Sequence, residues 1–340
     1  MTSSTEPSFA RPGELTAPDF FIVGHAKSGT TALYEMLRRH PEIYMPDQKE
    51  PWFFASELLL REDRRAFEGL PATLEDYLAL FASAKPGQRT GEASPSYIWS
   101  HDAARRIADL RPDARIVVIL REPADFLRSL HLQLVQFQIE TESDFATALA
   151  LEGARREGRA VPRSPYSARL FLYSEHARYV EQLRRYHAVF PAGQVLVLIY
   201  DDFRQSNEAT VRTVMRFIGV DDTVPIEQIE ANATRRARFQ QLDRLGHTLA
   251  VGRGPVARAS RAAVKAVTSQ ALRHGALRLS RRSVVHSTPP PPDAELMLDL
   301  RRRFKAEVEA LSEYLGRDLV ALWGYDRLTD QGCDSGPHHR

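Results

Sequence analysis

The residues best suited to chemistry cluster at GHAKSGTT, from Gly24 to Thr31. Two glycines separated by four residues and followed by hydroxyl side chains form a loop that can wrap a phosphate with backbone N–H groups. The usual nucleotide loop reads G-x-x-x-x-G-K-[ST]. Here Thr30 stands where that lysine belongs, Thr31 fills the hydroxyl position, and the only lysine, Lys27, lies inside the loop. Two readings stay open on this stretch alone: an ordinary glycine turn between a strand and a helix, or a phosphate loop built for a different donor. Arg121 and Ser129 form a second pair, eight residues apart after an apolar run. A planar guanidinium fork and a hydroxyl at that spacing can converge on one anion; the alternative is that Arg121 pairs with Glu122 or another nearby carboxylate. Glu50, in KEPWFF, is either a general base or half of a solvated Lys49–Glu50 pair before a proline. His25, His101 and His131 show no metal-ligand spacing and read as polar or turn residues, and the single cysteine, Cys333, excludes an intrachain disulfide and a cysteine-rich metal site.

These groups need elements to position them. DFFIVGH is a short apolar run ending at glycine, a buried-strand pattern, and TTALYEMLRRH after it places Leu33, Met36 and Leu37 on one helical face. The loop therefore joins a strand to a helix N-terminus, where unpaired N–H groups and the helix dipole favour an anion. Ala114–Pro123 reads as a second buried strand followed by a helix through ADFLRSLHLQLVQFQ. His176–Phe190 reads as an amphipathic helix, Gly193–Phe203 as a third strand, and ATVRTVMRFIGV as a helix capped near Gly219. Apolar strands alternating with helices predict an α/β fold: a P-loop-like parallel sheet covered on both faces, with ligands at the C-terminal strand ends. DAELMLDLRRRFKAEVEALSEYLG predicts a long C-terminal helix.

The chain has 340 residues, 43% hydrophobic and 26% charged, with a net charge of +2. That is a globular composition with too little charge to argue for nucleic acid. No apolar run reaches the ~20 residues of a membrane span, and the N-terminus has no apolar signal region. With the lone cysteine, this predicts a cytoplasmic protein. Residues 1–18 read as a flexible lead-in, 19–330 as one domain and 331–340 as a flexible tail. Within the domain, Arg235–Arg282 holds twelve Lys/Arg and one acid, Asp243. The span 235–290 reads as a basic helical insertion or lid, open to peripheral contact with an anionic membrane or an acidic carrier protein.

Four blocks in order, GHAKSGTTAL (24–33), KEPWFF (49–54), GEASPSYI (91–98) and ILREPADFLRSL (119–130), resemble sulfotransferases that use 3′-phosphoadenosine-5′-phosphosulfate (PAPS), in the branch of glycan and bacterial enzymes. The resemblance runs from about Asp19 to Asp221. It implies that Lys27 contacts the phosphate–sulfate bridge and that Ser28, Gly29, Thr30 and Thr31 hold the 5′-phosphate. It also implies that Arg121 and Ser129 hold the 3′-phosphate and that Glu50 is the base. ANATRRARF resembles a segment that closes over the donor, which makes Arg235, Arg236 and Arg238 donor contacts by the same resemblance. Lys49, Trp52, Glu92 and Ser94 are acceptor-site candidates; Trp52, Phe53 and Phe54 read as core or pocket wall, and turn hydrogen bonds are the equal alternative for Glu92 and Ser94. Heparan-type relatives often carry lysine where this chain has Ala93.

The expected function is transfer of a sulfuryl group from PAPS, without a metal, to a hydroxyl or less readily an amine of a small molecule, glycolipid or sugar. The alternatives are a P-loop small-molecule kinase and a non-enzymatic anion- or membrane-binding module.

Overall fold

A computed structural model describes residues 17–60, 69–227 and 291–328, with the backbone of 236–237 and 286–287. Its centre is a five-stranded parallel sheet in the order β2-β3-β1-β4-β5, built from β1 (Phe20–Gly24), β2 (Ile43–Tyr44), β3 (Arg89–Ala93), β4 (Arg115–Leu120) and β5 (Val195–Ile199). The apolar runs of β1 and β4 follow from burial on both faces. Phe20 and Ile22 of β1, with Val117 and Ile119 of β4, point into one core. Phe21 and Val23, with Ile116, Val118 and Leu120, point into the other.

The first core is closed by helices α1 (Thr30–Leu37) and α10 (Asn207–Ile218). The second is closed by α3 (Ala103–Leu110), α4 (Pro123–Gln136), α8 (Tyr179–His187) and α11 (Ala294–Leu315). Shorter helices are α2 (Leu74–Ala79), α5 (Phe145–Ala150), α6 (Glu152–Arg156), α7 (Tyr173–His176), α9 (Tyr200–Gln205) and α12 (Leu319–Leu322). The long helix begins at an Asp293 cap, whose carboxylate accepts from Glu295 N and Leu296 N, and ends at left-handed Gly316. Its buried stripe is Met297, Leu300, Phe304, Val308 and Leu311.

Two expectations change, and β3 is a strand that the sequence reading lacks. The third strand stops at Ile199, and Tyr200 already begins α9, because the acids Asp201 and Asp202 suit a first helical turn. The helix expected over His176–Phe190 divides into α7 and α8, with Arg178 outside helical geometry between them. β3 had no apolar signature: RTGEA is buried because Gly91 lets Phe20 lie across it, and a Cβ there would fall 2.1 Å from that ring. The lead-in to residue 16, the tail from 329 and most of 235–290 lie outside the described residues. Two rungs of that last segment are described: β6 (Arg236–Ala237) pairs antiparallel with β7 (His286–Ser287).

Where the chain leaves α4, Arg155 and Glu140 are both fully buried and form a two-pronged ion pair, at 2.8 and 3.0 Å. Tyr173 and the backbone N–H groups of Thr141 and Glu142 also donate to Glu140. Removing one partner strands the other charge. Arg155→Ala is therefore expected to cost about 3–5 kcal/mol in urea denaturation. Arg155→Met combined with Glu140→Gln, which keeps an acceptor for Tyr173, should recover most of it. A single variant within about 1 kcal/mol of the parent would refute this weight for the pair.

Candidate active site

The sheet order reverses at β1: the chain first builds β2 and β3 on one side, then β4 and β5 on the other. Such a switch point leaves a crevice beyond the C-terminal strand ends, and the loop Gly24–Gly29 occupies it. Gly24 has no room for a side chain, since a Cβ would lie 2.4 Å from Ile98 Cγ2. Gly29 has φ +89°, and a Cβ there would lie 2.8 Å from the Phe203 ring. Lys27 is itself left-handed, at φ 61°. No side chain caps α1, so the N–H groups of its first turn remain open to an anion. α1 is eight residues long.

His25 is a core residue, which corrects its reading as a turn residue. Its Nε2–H donates to Gln182 Oε1 at 2.8 Å, the only direction an amide oxygen permits. The ring packs on Phe126 and Tyr179. Burial pushes its pKa down to about 3, against the pull of Gln182, so it is neutral at ordinary pH. Gln182 in turn donates to the carbonyls of Glu175 and His176. His131 is likewise buried, stacked on Phe145, with Nε2 3.0 Å from the Glu142 carbonyl.

Arg121 follows the last residue of β4. Its Nη1 donates to Ser129 Oγ at 3.1 Å and to the Lys27 carbonyl at 3.2 Å. The guanidinium lies over the Tyr200 ring, 5.0 Å from its centre. The Tyr179 hydroxyl donates to the Arg121 carbonyl at 2.9 Å. Glu122 turns away from Arg121: it caps α4 through Asp125 N at 2.6 Å, accepts from the Tyr325 hydroxyl and lies 3.8 Å from Arg301. Lys27, Arg121 and Ser129 thus form one group, and among the described residues no carboxylate pairs with either cation. Burial and then Arg121 lower the Lys27 pKa. Two like charges held together and partly desolvated, without an acid, are the electrostatics of an anion site.

Glu92 lies on β3, and Glu50, in the loop after β2, is tied to the end of that strand. Glu50 N donates to the Ala93 carbonyl at 3.2 Å, and Lys49 forms an ion pair with the Glu50 carboxylate. Glu50 and Trp52 are both left-handed, at φ 61° and 57°, each at a cost on the order of 1 kcal/mol. That backbone aims the half-exposed Glu50 away from the core while Phe54 and Ala55 enter it. Glu92 and Ser94 are each 1% exposed. Ser94 Oγ and the Tyr77 hydroxyl donate to Glu92 at 2.5 Å, and the Tyr97 hydroxyl lies at 3.3 Å. Burial pushes the Glu92 pKa up to about 7, Ser94 and the tyrosines pull it back, and Glu50 adds a further rise. Both residues therefore lie beneath Glu50, not on the accessible surface.

Among the described residues no hydrogen bond joins Glu50 to the Lys27–Arg121 group. Arg235 and Arg238 lie outside the described residues, and Arg236 is described by its backbone alone, in β6. Tyr200, Gln182, Tyr77 and Tyr97 escape sequence reasoning. Tyr97 lies within the GEASPSYI block, and Tyr200 within the run read as the third strand.

The profile of the Sulfotransferase family matches residues 18–224. Heparan sulfate glucosamine 3-O-sulfotransferase 6 of Homo sapiens is 30% identical over 230 residues, 67% of this chain and 60% of its own length. Carbohydrate sulfotransferase 15 of Homo sapiens is 26% identical over 253 residues, covering 60% of this chain and 44% of its own. The chain thus spans less than two thirds of these relatives. A sulfotransferase from Alicyclobacillus acidocaldarius superposes with a TM-score of 0.65 at 25% identity, covering 90% of this chain and 98% of that one. The matched residues contain the loop, β3, Arg121 and Ser129, and on this footing the chain belongs to the sulfotransferase family.

Proposed function

We propose that the protein transfers a sulfuryl group from PAPS to an acceptor hydroxyl, giving a sulfate ester and adenosine 3′,5′-bisphosphate. The observation that carries this reading is the Lys27–Arg121–Ser129 group: two cations at adjacent strand ends, bridged to one another and without an acid partner among the described residues. The residues fit the donor. The loop N–H groups of Ser28, Gly29, Thr30 and Thr31 would hold its 5′-phosphate, and Arg121 with Ser129 its 3′-phosphate. PAPS supplies a sulfuryl group already activated by its bond to phosphate. Lys27 stabilises the negative charge that grows on the leaving phosphate oxygen. Glu50 takes the acceptor proton as the new O–S bond forms. Glu92 supports Glu50 from behind: its carboxyl holds Tyr97, whose hydroxyl accepts from Phe54 N at 3.3 Å and so fixes the turn after Glu50. No metal has a role, because a transferred sulfuryl group carries less negative charge than a phosphoryl group. The relatives' names, heparan sulfate and carbohydrate, support a sugar among the acceptor classes.

Arg121→Ala should remove most of the preference for adenosine 3′,5′-bisphosphate over AMP. Calorimetry is expected to show that preference at about 30-fold or more in the parent protein; equal affinities for the two nucleotides would defeat the assignment. Glu50→Gln should lower turnover of labelled PAPS by about 10²–10⁴-fold, with nucleotide affinity within about threefold of the parent. Turnover close to the parent's would assign the proton to another group.

Glu92 makes stability fall with pH. Its folded pKa is raised, so its contribution is complete below the ordinary carboxylate range and is lost as pH rises through about 7. Relative to Glu92→Gln, the parent should lose on the order of 2 kcal/mol in urea denaturation between about pH 5 and pH 8. Parallel pH profiles for the two proteins would contradict a raised Glu92.

A further inference from the structure

Beside Glu50 lies a pair of rings that the transfer chemistry does not use. Trp52 and Tyr166 are both half-buried, 5.5 Å apart and tilted by 49°. Their positions are enforced by backbone. Trp52 is left-handed two residues after Glu50. Tyr166 comes from a distant part of the chain and is held by a short antiparallel bridge to Leu59, with Leu60 N donating to Pro165 O and Ser167 N to Leu58 O, each at 2.8 Å. Tyr166 N also donates to Ser164 Oγ at 3.1 Å. Burial, and then the Glu50 carboxylate, raise the Tyr166 phenol pKa, so the ring is within electrostatic reach of Glu50.

Among the described residues, the cations bonded to the segment 49–56 are already engaged. Lys49 is paired with Glu50. Arg106 donates to Phe54 O and Ser56 Oγ and lies over the Phe53 and Phe54 rings. Glu57 is bonded to Ser100. Aromatic side chains favour flat partners, either π faces or the C–H face of a sugar ring, and a neutral ring needs no cation.

We propose that Trp52 and Tyr166 form the acceptor platform, on which an uncharged, hydroxyl-bearing ring stacks with its hydroxyl toward Glu50. This rests on the donor reading above. The shared chemistry is a neutral flat face; a phenolic ring and an uncharged pyranose are its two sources, and a sulfated polyanion is the class it disfavours. Tyr166 is thereby a specificity-determining residue outside the four blocks that resemble the family.

The test uses the full chain with labelled PAPS and three acceptors: 2-naphthol, octyl β-glucoside and an N-sulfated heparan oligosaccharide. Turnover of 2-naphthol or of the glucoside above the oligosaccharide is expected, and the arm that works identifies the source. For that acceptor, Trp52→Leu and Tyr166→Leu should each raise KM roughly tenfold or more while kcat stays within about threefold. Trp52→Phe should restore much of the loss. Affinity for adenosine 3′,5′-bisphosphate should be unchanged in all three variants, which separates a lost platform from a disturbed fold. Preference for the oligosaccharide, failure of both neutral rings, or a KM indifferent to the leucine variants would overturn the proposal. A parent protein that binds no adenosine 3′,5′-bisphosphate would count against the donor reading itself, and the platform would fall with it.

Discussion

The constraint on which the rest depends is the confinement of two positive charges at neighbouring strand ends with no acid among the described residues to neutralise them. Lys27 and Arg121 repel one another in a partly desolvated place, an arrangement that costs stability and persists only where the scaffold enforces it. The scaffold does so from several directions. Arg121 bonds the Lys27 carbonyl and Ser129, rests on Tyr200, and has its own carbonyl held by Tyr179. Behind the loop, neutral His25 is locked to Gln182 on α8. Such pre-organisation leaves a bound anion with favourable work to do: its charge removes a strain already present in the free protein.

The same edge carries a second electrostatic contrast. Two glutamates meet at the end of β3 in different surroundings: Glu50, in the loop bonded to Ala93, is half-exposed and ion-paired, and Glu92, on the strand, is sealed under three hydroxyl groups. A carboxylate beneath a carboxylate is tolerable only if the lower one holds its proton readily, and burial of Glu92 supplies that. The difference follows from depth: Glu50 is half-exposed, and Glu92 is sealed from solvent.

What could be read from the sequence was what is local. The runs of β1 and β4, the loop glycines, the cap at Gly219, and the positions of Arg121 and Ser129 after one strand all depend on neighbours in sequence. What could not be read depends on meetings across the fold. RTGEA becomes β3 only because Phe20 covers Gly91. His25 reads as a polar turn residue until Gln182, 157 residues away, is brought to it. Tyr166 reaches Trp52 through a bridge between two irregular segments.

The cap of α4 has a consequence for how the chain assembles. Glu122 adjoins Arg121, yet it accepts from Tyr325, which follows it by 203 residues, and lies beside Arg301. Arg317 and Trp323 similarly tie down Asp202 and Asp201 after β5. During synthesis the sheet can therefore form well before the strand-end turns have their final partners. A ribosome-bound chain that has not yet released Tyr325 therefore carries the Glu122 cap without its last partner, while Ser129, Tyr179 and Tyr200 are already present to hold Arg121.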